Sequence, residues 1–283
     1  MLQKLSAYFF SDFNFKIQTL WFKRLLYLFL CVESIYYLCF FDVFFGEHSI
    51  VVVNPQPLGL FNRLAFLLYD SNSAGLSRLC ILAIISLSLL NLFSSSMKFI
   101  ADLLLWFLLV NLHYRIYPAL TGGNNLLNQF LFFNCFLSAI YTVKNQWSSQ
   151  LRICLHNLGV MAIIVQISLV YFLSALAKLG DEEWLTGKAL IAVSQIRHFS
   201  LFSFLTYKPF FDPVLIFLNY LVLFYQLLFP VLIWIRNIKK PLLITGIVMH
   251  LYIAFVMGLV SFGFVMILAY VFFWPLNPKN HKK

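Results

Sequence analysis

Residues 160–178 read Val160-Met161-Ala162-Ile163-Ile164-Val165-Gln166-Ile167-Ser168-Leu169-Val170-Tyr171-Phe172-Leu173-Ser174-Ala175-Leu176-Ala177-Lys178, and the only charge in the stretch is its last residue. Crossing about 30 Å of hydrocarbon takes about 20 mainly apolar residues at 1.5 Å of helical rise each. Extended back to Cys154, this block is such a span. Working outward, the same ruler marks spans near 25–45, 78–95, 99–117, 126–143 and 213–235. The block Pro241 to Trp274 is too long for one ordinary span and short for two. Gly258 lies near its middle, so it is expected to fold as a tight hairpin of two shorter helices, with one long kinked helix as the alternative. Eight spans is the preferred count and seven the runner-up.

Composition agrees. Hydrophobic residues make up 62% of the 283 and charged residues 11%, against about 45–50% and about 25% in a soluble domain. This excludes a soluble enzyme, a disordered chain and an ordinary nucleic-acid-binding domain. The fold class expected is an all-α integral membrane protein, a polytopic bundle of about eight transmembrane helices with interfacial segments, whose first partner is the lipid bilayer. The net charge of +10 sits in the gaps between apolar blocks rather than in a stripe. With the amino terminus inside, Lys4, Lys16, Lys23, Arg24, Lys98, Lys144, Arg152, Arg236, Lys239, Lys240, Lys279, Lys282 and Lys283 are cytoplasmic, with one acid, Asp12. The other side holds Arg63, Arg78, Arg115, Lys178, Lys188, Arg197 and Lys208 and most of the acids. This bias predicts both termini in the cytoplasm of a multi-pass cell-membrane protein.

The first apolar block is longer than a signal-peptide core and lacks a small-residue cleavage site, so it is expected to stay as a span. Residues 1–24 then form a cytoplasmic interfacial segment, with a helix from Phe9 to Trp21. Residues 25–275 are the transmembrane domain and 276–283 a basic cytoplasmic tail. The two long outer connections, 46–77 and 179–212, are expected to lie on or dip into the membrane surface, the second as a helix-like segment from Trp184 to about Phe204. Five cysteines (Cys31, Cys39, Cys80, Cys135, Cys154) lie in or beside apolar blocks without a CxxC, as packing residues do.

Ionisable side chains in lipid cost roughly 2.5–3.5 kcal/mol each on insertion scales, so each needs a reason. Glu33 lies in the first span with Tyr36 and Tyr37 on its face, as a protonated or paired acid holding helices together. His250, near mid-membrane, has the place of a neutral hydrogen-bonding group between helices. Neither a second histidine at matching depth nor an HExxH, Walker or GxSxG pattern accompanies it. Lys178 closes its span on the outer side, with Tyr171 and Ser174 on its helix face. A lysine there serves as a snorkelling anchor that complements the helix dipole, or as a functional amine.

The run Val170-Tyr171-Phe172 to Lys178-Leu179, followed by acids, Trp184 and Gly187, resembles the catalytic-lysine segment of the vitamin K-dependent γ-carboxylases. Those enzymes belong to the HTTM (horizontally transferred transmembrane) domain superfamily. Arg197-His198-Phe199 is similar to that family's Arg-His-aromatic triplet, and His250 with Phe262 to its late His-to-Phe block. The likeness covers roughly residues 10–275 in the same order. It implies that Lys178 is a general base, neutral because a water-poor site disfavours the ammonium form. The implied cofactor is a quinol like vitamin K hydroquinone, in a pocket of Trp184, Gly187, Arg197, His198, His250, Phe262, Asn124 and Asn125. No metal is implied.

Where the carboxylases place a catalytic histidine, this chain has Gly122-Gly123-Asn124-Asn125, and an asparagine donates a hydrogen bond without shuttling a proton. The sequence ends nine residues after its last apolar block, without the carboxylases' large extracytoplasmic domain. It is therefore more similar to the short branch that includes the membrane protein maturing the sporulation-delaying toxin peptide. That branch implies help in maturing a small secreted peptide precursor, with a companion soluble protein. A carboxylase-like or quinone-epoxidising enzyme, and a non-catalytic immunity, transport or export-adaptor protein, are the alternatives.

Overall fold

The computed structural model describes residues 7–46, 49, 51, 74–93, 99–138, 149–196 and 209–274, and every regular element among them is helical. The chain divides into two compact units, Met1–Met161 and Ala162–Lys283.

In the first unit, α1 (Lys16–Cys39) packs against α3 (Ala74–Phe93), α3 against α4 (Phe99–Arg115), and α4 against α5 (Gly122–Leu137). The short α2 (Phe41–Phe44) follows α1 directly. Their shared core is Leu26 and Leu30 of α1, Ile81 and Ile84 of α3, Leu105 and Leu109 of α4, and Leu127 and Leu131 of α5. Large apolar side chains such as Leu79, Leu90, Phe93 and Ile100 face outward, as suits helices that have lipid for a solvent.

The start of the chain differs from the sequence expectation. A single interfacial helix from Phe9 to Trp21 does not form. A helical turn at 7–10 ends, Phe15 takes a left-handed conformation at φ 55°, and α1 begins at Lys16. Lys23, grouped above with the cytoplasmic bases, is 0% exposed. Its Nζ donates to Asp102 Oδ2 at 2.7 Å, to Asn134 Oδ1 at 3.0 Å and to Ser138 Oγ at 2.6 Å. Tyr27 donates to the other carboxylate oxygen, and Ser138 also bonds Asp102. The charge has a buried counter-ion 79 residues away in the chain, so it lies inside the packed helices rather than before them.

The longest helix, α6 (Ser149–Leu179), has 31 residues and so a length of about 46 Å. Its opening turns close the first unit by holding the amino-terminal segment. Asn157 Oδ1 accepts from the Asn14 backbone N–H at 2.8 Å, and its Nδ2 donates to the carbonyls of Tyr8 and Asp12, both at 2.9 Å. His156 Nε2 lies 2.7 Å from the Asn14 carbonyl oxygen.

The second unit comprises the rest of α6, two short helices α7 (Glu182–Leu185) and α8 (Ala189–Gln195), then α9 (Asp212–Leu232), α10 (Arg236–Phe255) and α11 (Val260–Ala269), with a 3-10 turn at Tyr270–Phe272. The block from Pro241 to Trp274 is broken at 256–259, where Gly258 has φ 73°. It forms two helices packed on each other, as the hairpin expectation requires, and not one kinked helix. The segment beginning at Trp184 is also broken, because Gly187 at φ 77° separates α7 from α8. All five cysteines are free thiols.

By length and composition, four helices among the described residues can cross a membrane: Ala74–Phe93, Ser149–Leu179, Pro209–Leu232 and Arg236–Phe255. The expected spans at 25–45, 99–117 and 126–143 correspond to α1, α4 and α5, which are either shorter or carry more polar residues. α11 has 10 residues.

Candidate functional site

Lys178 sits at the last turn of α6, half-buried. The helix stops just beyond it, with the Gly180 N–H on the Ala177 carbonyl and the Asp181 N–H on the Lys178 carbonyl. Asp181 then caps α7, its side chain accepting from the Glu183 N–H at 2.9 Å. This tight reversal carries Trp184 back over the end of α6, so that Lys178 Nζ lies 4.8 Å from the centre of the indole ring, within cation–π range. Among the described residues its one hydrogen bond is long, 3.5 Å to the Ser174 carbonyl.

The turn after Trp184 is held by α9. Asn219 Nδ2 donates to the Trp184 carbonyl at 2.9 Å, and Tyr220 Oη donates to the Leu185 carbonyl at 2.8 Å. A Cβ at Gly187 would lie 3.0 Å from Ile216 Cγ2 and 3.2 Å from a Tyr220 ring carbon, so only glycine fits both the φ and the space. Trp184 is thus brought beside Lys178, whereas Gly187 packs against Ile216 and Tyr220 of α9. Arg197 and His198 lie outside the described residues.

His250 belongs to a deeper layer. Seven residues, about 10 Å of helical rise, separate Lys178 from Tyr171, whose hydroxyl is 2.5 Å from His250 Nε2. Tyr171 also bonds the Tyr270 hydroxyl, Tyr270 is 3.1 Å from the Tyr225 hydroxyl, and Tyr225 donates to the Leu242 carbonyl at 3.1 Å. Phe262 packs edge-on to the imidazole, ring centres 5.9 Å apart. Gly246 makes room for the layer, since a Cβ there would strike the hydroxyls of Tyr225 and Tyr270. His250 is 1% exposed, and among the described residues no hydrogen-bond partner meets its Nδ1.

Asn124 and Asn125 belong to the first unit, where they do different things. Asn124 Oδ1 accepts from the backbone and hydroxyl of Thr121, the residue preceding α5, and its Nδ2 donates to Glu33 Oε1 at 2.8 Å. It is a helix-start residue tied to the buried acid. Asn125 is exposed. Around Glu33, His113 Nε2 stands 4.0 Å from Oε2 and its Nδ1 is 2.9 Å from Asn128 Oδ1. Of the two tyrosines on the Glu33 face, Tyr37 is buried and joins through Asn124, whereas Tyr36 is half exposed.

Sequence reasoning passed over Asn219, Tyr225, Tyr270 and Asp102. The signal available for each was a lone polar side chain within an apolar helical run, which says that a partner exists but not which. No group of three or more metal-ligating side chains occurs among the described residues.

Residues 138–277 match the family model of the HTTM domain, a stretch that holds Lys178, Trp184, Asn219 and His250. Comparison with curated proteins and with solved structures finds no match. The family match, the all-helical architecture and the four apolar crossing helices together identify the chain as an HTTM-domain helical membrane protein.

Proposed function

We propose that this HTTM-domain protein assists the maturation or modification of a secreted peptide or protein at the extracytoplasmic face, with Lys178 as its base. One observation carries the proposal: an amine half-buried at the end of the longest apolar helix, held over the Trp184 ring. An amine there is partly removed from water, and its protonated form has the indole face as a partner. That combination suits a group that takes a proton at Nζ and holds it.

A quinol is the ligand that the resemblance implies, and the residues present fit one. Trp184 offers an aromatic surface, Lys178 Nζ a proton acceptor, and Asn219 a buried amide on the Trp184 carbonyl. When bound, a quinol supplies two electrons and two hydroxyl protons. Lys178 would take up one such proton, and the Trp184 turn, fixed to α9 by Asn219 and Tyr220, would keep bulk water off the amine. The small secreted precursor and the companion soluble protein are the partners in this reading. The carboxylase-like reading shares Lys178 and adds CO₂ as co-substrate.

A second reading has its own observation. The amine also lies 3.5 Å from the Ser174 carbonyl at a helix C-terminus, where a lysine anchors the helix at the interface. Lys178→Arg separates the two, because arginine keeps the anchor and cannot give up its proton. In lipid nanodiscs supplied with a reduced naphthoquinone and CO₂, oxygen uptake is expected from the wild type and from neither Lys178→Ala nor Lys178→Arg. Uptake undiminished in Lys178→Arg, or absent from the wild type, overturns the lysine-base reading.

A further inference from the structure

Asn219 is 0% exposed. Its amide can face the Trp184 carbonyl only with its nitrogen, since two carbonyl oxygens would repel, so the 2.9 Å contact fixes the orientation of the group. The oxygen is thereby turned away from Trp184, and no donor among the described residues meets it. A buried acceptor without a donor is costly in an apolar surround. Other buried polar atoms among the described residues share that state, Asn111 Oδ1 and Gln226 Oε1 included. Asn219 is set apart by its place on the Trp184 turn. Holding the turn does not explain the unpaired oxygen. Tyr220, the next residue, performs the same task on the Leu185 carbonyl with a single hydroxyl and leaves no acceptor stranded. The stranded oxygen lies on the side chain that grips Trp184, and the Trp184 ring carries the Lys178 amine.

We infer that Asn219 Oδ1 is the hydrogen-bond acceptor that orients the molecule on which Lys178 acts, and that this molecule presents a neutral N–H or O–H group to it. The inference rests on the Lys178 reading and deepens it by stating what the ligand must carry. A ligand that offers only acceptors leaves the amide oxygen unpaired and is discriminated against. Two sources of that chemistry are a peptide N–H and an aromatic hydroxyl.

The test measures acetylation of Lys178 by an amine-reactive ester in nanodiscs, read by mass spectrometry, with graded amounts of four probes. N-methylacetamide carries the amide donor and N,N-dimethylacetamide lacks it; 1-naphthol carries the hydroxyl and 1-methoxynaphthalene lacks it. Protection of Lys178 is expected from at least one donor probe and not from its methylated twin, and the pair that differs identifies the source. Asn219→Leu is expected to require about tenfold more of that probe, and so is Asn219→Ser, which keeps a hydroxyl for Trp184 if the leucine variant does not fold. Tyr220→Phe, which loosens the same turn but leaves the acceptor in place, is expected to keep the difference between the donor probe and its methylated twin, whatever amount of probe it requires. Equal protection by both members of each pair, protection by none, or an unchanged requirement in the Asn219 variants overturns the inference. Acetylation of Lys178 as fast as that of the exposed Lys16, in every variant, overturns the lysine reading itself and so is told apart from failure at Asn219.

Discussion

Each phenol in the second unit has one proton to give, and that fixes the protonation of His250. Tyr225 gives its proton to the Leu242 carbonyl, so Tyr270 must donate to Tyr225, Tyr171 to Tyr270, and His250 Nε2–H to Tyr171. The imidazole is therefore expected as its Nε2–H tautomer, which nitrogen-15 spectra of histidine-labelled protein will report. Tyr225→Phe removes the end of the chain and is expected to yield a mixture of tautomers; an unchanged spectrum contradicts this proton order. In the first unit, Lys23 and Asp102 are a fully buried ion pair. Lys23→Met strands the carboxylate and is expected to cost about 3–5 kcal/mol, with most of the loss recovered in the double variant Lys23→Met/Asp102→Asn. Thermal unfolding in one detergent at one pH measures both. Residue by residue, little of this was legible beforehand. A lysine at position 23 reads as a flanking anchor because the eye stops at the next apolar block, and nothing local announces an aspartate 79 positions on. Asn219 was silent for the same reason, since an asparagine in an apolar run shows that a partner is needed without naming it.

Elements were more legible than residues, because about 20 apolar residues in a row permit few structures other than a helix when lipid is the solvent. The blocks around 78–95, 154–178, 213–235 and 241–274 all contain helices with nearby limits. What escaped was where helices stop, since boundaries depend on single conformations such as Phe15 at φ 55° and Gly187 at φ 77°. Those conformations can be tested. Gly187→Ala forces a side chain into the left-handed region, for which about 1–2 kcal/mol is the usual cost, and crowds Ile216 and Tyr220. A lowered midpoint of unfolding together with a shifted Trp184 emission is expected, the second because the indole leaves the amine. Gly246→Ala acts between α9, α10 and the 3-10 turn by striking two tyrosine hydroxyls. Overpacking of this kind costs about 1–3 kcal/mol, and the Trp184 emission should stay as it is.

For the whole molecule, the charge bias predicts an orientation that can be measured directly. A green fluorescent protein fused after residue 283 is expected to fluoresce, because it folds in the cytoplasm and not when exported unfolded; a dark fusion at normal expression reverses the assignment. One contact also bears on how such a chain is made. Asn157 and His156 secure a strand of backbone that leaves the ribosome far earlier, since Asn14 and Asn157 are 143 positions apart. At 5–20 residues per second that gap is roughly 7–30 s of synthesis. Throughout that interval the newborn amino-terminal segment has none of its final hydrogen-bond partners on α6, and water or lipid headgroups must meet its backbone groups until α6 emerges.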